Sequence, residues 1–374
     1  MKPYLAVFAT AVAVSYLTTP LVRRMAARAG AVDIPNDRKV HGEPTPRWGG
    51  LAMYVAFLAA MGVAWSFPEL RESLRASSEP FGVLLAATVL VIVGAIDDVR
   101  EMRAMTKLAG QLLAGGVLVL GGVQIFYVWL PGIGVLSLSP DLSAIVTVLW
   151  TIAVSNSVNL IDGLDGLAVG VTSIAAMTFF VYSYQTDASV TASLLTAIVA
   201  GAALGFLRHN FQPARIFMGD SGTMLLGLLL ASATVSGISR TTEPQFVDVA
   251  GLFIPVLLPV LVLAIPLADA TFAVLRRVRD RRPVFHPDKQ HIHHWLLDMA
   301  GTHRRAVLTM YLWSALIALA TLVLALGPGL VWRLLSAGIA AVLVASILVL
   351  PRILRRGRTL HLVEPEPLGD AQSR

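Results

Sequence analysis

The chain has no cysteine, which excludes disulfides, thiolate metal sites and cysteine nucleophiles. Charge is scarce too: 14% of the 374 residues are Asp, Glu, Lys or Arg, where an ordinary soluble domain carries about a quarter. No convincing internal repeat is visible, which counts against a transporter built from repeated halves. What the chain has instead is apolar surface. It is 56% hydrophobic, gathered into separate runs that each approach the ~20 residues needed to cross hydrocarbon. The net charge of +6 is not a nucleic-acid signature, because the basic residues sit in the loops between runs. That arrangement suits positive-inside orientation and anionic lipid headgroups, so the expected partner is a membrane and not nucleic acid.

The run Tyr4 to Val22 has only Lys2 ahead of it, while Arg23, Arg24 and Arg28 follow. A signal peptide carries its positive charge first, so this reads as an uncleaved span with an outside N-terminus. The expectation is an all-α integral membrane protein of about eleven spans, near 4–22, 49–67, 81–96, 106–123, 142–157, 166–184, 190–207, 222–238, 249–274, 306–326 and 330–350. All of the 29 lysines and arginines except Lys2, Arg71, Arg75, Arg240 and Arg333 then lie on one side, which the positive-inside rule makes cytoplasmic. Residues 1–350 form one polytopic domain, and 351–374 read as a mobile cytoplasmic tail. The outside segment Gln124 to Leu142, broken by Pro131, Gly132, Gly134 and Pro140, predicts an interfacial hairpin or re-entrant piece. Pro255, Pro259 and Pro266 in the ninth span predict either a broken helix beside a buried site or a simple kink.

The polar residues concentrate in five cytoplasmic loops: KVHGEPTPRWGG from Lys39, AIDDVRE from Ala95, NSVNLIDGLDG from Asn156, RIFMGDSG from Arg215 and HPDKQHIHHW from His286. Acids kept at the ends of apolar helices are a functional-site hypothesis by default. Adjacent Asp97 and Asp98 repel one another, and a divalent cation relieves that repulsion; the plain alternative is a solvated helix end. Asn159, Asp162 and Asp165 are spaced for one helical face, but Gly163 and Gly166 favour a turn. Such a turn suits ribose hydroxyls, a base edge or the surroundings of a metal, or else it simply binds its own backbone. Asp220 and Ser221 suit a helix start, where phosphate is also favoured, with Phe217 a stacking surface or an interface anchor. His286, His291, His293 and His294 lie among six nearby basic residues, Arg276 to Lys289, which favours a diphosphate over zinc or a basic loop resting on lipid. Asp269, about two turns before Arg276, is placed to pair with that loop or orient a histidine.

In this order the motifs resemble those of the polyprenyl-phosphate N-acetylhexosamine-1-phosphate transferases, the MraY/WecA/TagO superfamily. The resemblance covers roughly residues 1–350, and VDIPNDRKVHGEPTPRWGG with HPDKQHIHHWL is similar to the WecA/TagO-like branch. Arg47 and Ile292 depart from the TPTMGG and triple-histidine pattern of the muramoyl-pentapeptide branch. The resemblance implies transfer of N-acetylglucosamine-1-phosphate from UDP-N-acetylglucosamine to undecaprenyl or decaprenyl phosphate, releasing UMP. It also implies magnesium, with manganese as a substitute, a bacterial cytoplasmic membrane and a homodimer.

Carried over residue by residue, Asp97, Asp98 and Asp220 are the expected catalytic and metal-binding acids. Lys39, His41, Arg47, Asn159, Asp162, Asp165, Phe217, His291, His293 and His294 are the expected substrate contacts. The rival readings are the muramoyl-pentapeptide substrate or another UDP-sugar, a lipid or ion transporter, and a CDP-alcohol phosphotransferase. A transporter predicts charges near the centres of spans. The last rival needs a longer aspartate array on successive helical turns than this chain has.

Overall fold

The computed structural model describes residues 1–35, 43–130, 134–187, 189–238, 264–279, 296–297, 302–327 and 329–361. Helix α1 (Lys2–Ala29) ends at Gly30, whose left-handed φ of 77° turns the chain out of the helix. Next come α2 (Gly49–Ser66), the short α3 (Pro68–Ala76), α4 (Glu79–Arg100) and α5 (Ala104–Leu120). Helix α6 (Pro140–Ile161) starts behind Ser139, whose hydroxyl accepts the Leu142 N–H at 3.4 Å. Then follow α7 (Leu167–Gln185), α8 (Val190–Asn210) and α9 (Gly219–Ile238). The last described helices are α10 (Ala264–Arg279), α11 (His303–Leu326) and α12 (Leu330–His361).

Eight of the described helices are long and apolar enough to cross a membrane, and the shorter apolar α5 has seventeen residues. The protein is therefore the all-α, multi-pass membrane protein that its hydropathy predicts. Two antiparallel hairpins interrupt the helices: β1 (Val32–Asp33) with β2 (Thr45–Pro46), and β3 (Tyr127–Leu130) with β4 (Gly134–Ser137). The second is the hairpin expected between Gln124 and Leu142.

Helix α9 is the hub, packed against α2, α4, α6 and α8, while α1 lies on α2 and α8. Leu225, Leu226, Leu228 and Leu229 of α9 are all buried. Small polar residues join helices here in place of a strong hydrophobic drive, as Ser15 Oγ does by donating to the Ala202 carbonyl at 2.8 Å. The periphery is different: only 6% of the apolar window of α12 is covered, against 83% for α8.

Three boundaries differ from the sequence expectation. Helix α4 does not stop before the aspartate pair but runs on through it to Arg100. It ends where Glu101 takes a left-handed φ of 46° and the Asp97 carboxylate accepts the Met102 N–H at 2.7 Å. Residues 68–76, expected as loop, form α3 because Leu70 and Leu74 lie one turn apart and both bury. Helix α12 passes Pro351 into the expected tail and ends at His361. Residues 239–263, with Pro255 and Pro259, lie outside the described residues, so the ninth span is seen only as α10. Pro266 falls in the first turn of α10, where a missing N–H costs least.

Candidate active site at the first turn of α9

The site is built around the start of α9. Gly219 has φ +70°, and a Cβ there would lie 2.4 Å from Asp98 Oδ2. With no side chain in the way, Asp98 reaches the helix start from α4, 122 residues earlier in sequence. Its Oδ1 accepts the Asp220 N–H at 2.8 Å, and its Oδ2 accepts the Ser221 hydroxyl at 2.8 Å and N–H at 3.3 Å. A buried carboxylate thus satisfies amides that α9 cannot satisfy itself, and its charge complements the helix dipole. One turn earlier, Gly94 permits that approach: a Cβ there would fall 2.4 Å from Ser221 Cα.

Asp97, on the next face of α4, points elsewhere. Its Oδ2 lies 2.7 Å from Lys107 Nζ, and the same ammonium donates to Asp220 Oδ2 at 2.6 Å. Lys107, from the first turn of α5, therefore bridges two acids that burial would otherwise set against each other. Asp220 Oδ1 accepts from Asn159 Nδ2 at 3.0 Å, and that amide also reaches Thr223 Oγ1 at 2.9 Å. Asn159 sits in the last turn of α6, so four helices deliver this cluster.

The sequence 162–166 is the turn that its glycines predict. Asp165 Oδ2 accepts the Ala214 N–H at 3.0 Å, and the Gly166 N–H donates to Asn210 Oδ1 at 3.0 Å. Asn210 in turn donates to the Ile216 carbonyl at 3.0 Å, and the Tyr311 hydroxyl donates to the Gly166 carbonyl. Asp165 therefore braces the loop leading into α9. Asp162 lies in the same turn with its carboxyl pushed up to about 7, first by burial and then by the charges of Asp220, Asp98 and Asp165; Arg47 opposes them.

The loop 45–50 closes the other side. The Phe217 N–H donates to the Pro46 carbonyl at 2.8 Å, the Gly49 N–H to Phe217 at 3.0 Å, and the Gly50 N–H to Met218 at 2.9 Å. This ladder holds Phe217 half-buried beside Gly219. Arg47 pairs with Asp33 across the β1–β2 hairpin, and the Trp48 indole donates to the Ala95 carbonyl at 3.0 Å.

Of the residues singled out in the sequence, the structure brings Arg47, Asp97, Asp98, Asn159, Asp162, Asp165, Phe217 and Asp220 to one end of the bundle. Lys39, His41, His291, His293 and His294 lie outside the described residues, as do the side chain of Asp269 and all of His286. Lys107 is the residue the sequence reading missed. The available signal was a lone lysine one turn inside an apolar helix, a position that membrane burial makes costly without a partner.

Among the described residues, no three histidine or acidic side chains form a ready-made metal cage. The donor chemistry still fits a hard divalent cation. After burial, the charges of Asp220, Asp98 and Asp165 raise the Asp162 carboxyl, and of these the Lys107 ammonium pairs only with Asp220. Magnesium takes a few carboxylates and fills its remaining positions with water and phosphate oxygens.

Comparison with known proteins gives the chain's family. Residues 80–238, from α4 through α9, match the family model described as glycosyl transferase family 4. The chain is 42% identical over 320 residues to decaprenyl-phosphate N-acetylglucosaminephosphotransferase of Mycobacterium leprae, covering 83% of this chain and 80% of that one. It is 32% identical to the probable undecaprenyl-phosphate N-acetylglucosaminyl 1-phosphate transferase of Bacillus subtilis, covering 82% and 81%. With undecaprenyl-phosphate alpha-N-acetylglucosaminyl 1-phosphate transferase of Escherichia coli it shares 30% identity over 79% and 77%. Sequence identity over that much of each chain, on top of the converging acids, shows that the protein belongs to the family of polyprenyl-phosphate N-acetylglucosamine-1-phosphate transferases.

Proposed function

We propose that the protein transfers N-acetylglucosamine-1-phosphate from UDP-N-acetylglucosamine to a polyprenyl phosphate and releases UMP, as the first membrane step of a cell-envelope polysaccharide. The observation that carries this reading is the meeting of Asp97, Lys107, Asn159 and Asp220 at the ends of four apolar helices. A transporter would be expected to place such charges along the spans.

Both reactants are anions, so the chemistry depends on positioning and charge neutralisation more than on a special nucleophile. Asp220 and Asp97 are the residues that would hold magnesium, since each has an oxygen held by the Lys107 ammonium, which an ion could displace, whereas Asp98 is held by three bonds from α9. When bound, that ion neutralises charge on the diphosphate and stabilises departing UMP. Lys107 keeps the two acids in place and has ammonium protons to offer a phosphate oxygen. Asp98 holds the first turn of α9 in register and so positions Asp220. Asn159 fixes the other Asp220 oxygen, and Asp165 fixes the loop that carries Phe217, the candidate uracil contact. Lys39, His41, Arg47, His291, His293 and His294 are assigned to the phosphates and sugar of the donor. The excess of basic residues at this end supports a cytoplasmic site in a bacterial plasma membrane.

The test is an assay of purified protein with decaprenyl or undecaprenyl phosphate, several UDP-sugars, and magnesium or a chelator, following UMP and the lipid product. UDP-N-acetylglucosamine should be the preferred donor, and chelation should abolish turnover until magnesium or manganese is restored. Efficient use of UDP-N-acetylmuramoyl-pentapeptide with none of UDP-N-acetylglucosamine would overturn the donor, and no UMP from any donor would overturn the reaction. Sidedness has its own test, since the chain has no native cysteine. Cysteines introduced at 276–305 and at 124–142 should label from opposite faces of intact cells; labelling of both from outside reverses the topology.

A further inference from the structure

The same end of the bundle carries a second charged feature, on the side where α8 meets α1. Arg208 in the last turn of α8 and Arg215 in the following loop line a crevice of about 470 Å³ with Leu204, Leu207 and Phe211. Arg23 near the end of α1 joins them: the charges of Arg208, Arg215 and Arg23 all act on the His209 ring. That ring is fixed by a 3.0 Å contact of Nε2 with the Tyr16 carbonyl and by packing on the Tyr16 ring at 5.0 Å. Among the described residues no carboxylate forms an ion pair with any of the three arginines.

We infer that this crevice binds the headgroup phosphate of an anionic phospholipid, with an acyl chain laid along Leu204, Leu207 and Phe211. A guanidinium matches phosphate geometry with paired donors, and basic pockets between membrane helices suit anionic headgroups. The apolar wall continues the surface of a membrane-spanning helix, which favours a lipid over a soluble anion. Arg215 also follows Ala214, whose N–H is held by Asp165. Lipid in the crevice would therefore steady the loop entering the first turn of α9. This inference stands without the transferase reading, and its test reads binding alone.

Native mass spectrometry of the detergent-purified protein, titrated with phosphatidylglycerol or phosphatidylcholine, measures the preference directly. The wild type should retain phosphatidylglycerol selectively. Arg208→Gln with Arg215→Gln should weaken that binding about 30-fold, while the Arg→Lys pair, which keeps the charge but not the paired donors, recovers part of it. Should the double variant fail to fold, Arg215→Gln in the exposed loop alone should cost about 5-fold. Unchanged phosphatidylglycerol binding in the glutamine variants overturns the site. Displacement of the phospholipid by equimolar polyprenyl phosphate, or by inorganic phosphate, also overturns it, because the crevice would then belong to the acceptor lipid or to a free anion.

Discussion

Two charged regions sit at one end of this bundle, and they treat charge differently. At the first turn of α9, Asp97, Asp98 and Asp220 all have protein partners: Lys107, the amides of α9, the Ser221 hydroxyl and the Asn159 amide. In and beside the crevice where α8 meets α1, Arg208, Arg215 and the neighbouring Arg23 have no acid partner among the described residues. The depth of each region accounts for the difference. Asp97 and Asp98 are 5% exposed, and a buried charge without a partner is costly, so the fold supplies partners in advance. Arginines at the interface keep their hydration and can wait for a ligand. Pairing fixes the geometry of the acids, and its absence in the crevice leaves room for something to bind.

The sharpest way to break the paired region is to remove its cation. Lys107→Met leaves Asp97 and Asp220 facing each other, and UMP release should fall about 100-fold or more. Lys107→Arg should recover part of that loss. If Lys107→Met keeps near-normal turnover, the bridge is incidental to the site.

A smaller effect is expected from the histidine loop, which is assigned to the donor substrate. Alanine at His291, His293 or His294 should each weaken UDP-sugar use about 10- to 150-fold, the worth of one hydrogen bond to a charged group. Use of polyprenyl phosphate should change less. Stoichiometric bound zinc, lost with any one of these histidines, would replace anion binding with metal binding in that loop.

The smallest effect concerns the backbone that lets the two helices meet. Gly219→Ala places a Cβ against the Asp98 carboxylate and must keep φ positive, costing about 1–2 kcal/mol. Thermal unfolding in detergent should show a drop of a few degrees. Gly116→Ala, where an added Cβ meets nothing, should be neutral or slightly stabilising. Equal behaviour of the two variants would mean that the contact of Asp98 with α9 does not matter to stability.

Much of the fold was legible because a membrane span writes itself as some twenty apolar residues, and each expected run meets a helix where it is described. The boundaries at Arg100 and His361 were not legible, since hydropathy marks where lipid ends and not where hydrogen bonding ends. Helix α3 was hidden because its apolar signal is only two leucines. In the site, the residue types and motif order singled out side chains that the structure gathers at one end of the bundle. They could not distinguish Asp97 from Asp98, adjacent carboxylates that the helix turns toward a lysine in one case and toward the amides of α9 in the other. Lys107 escaped because its partner Asp220 is 113 residues away, a separation that no local pattern encodes.

The most direct test of the central claim is UMP release by Asp220→Asn, measured beside its thermal unfolding in the same detergent. Among the described residues, Asp220 is the one acid that meets α4, α5 and α6 at once, through a backbone bond to Asp98 and side-chain bonds to Lys107 and Asn159. The account predicts turnover reduced by about 100-fold or more, at saturating magnesium and both substrates, with folded protein recovered in normal yield. Near-wild-type turnover in Asp220→Asn would contradict it, because the first turn of α9 would then not be where the phosphates react.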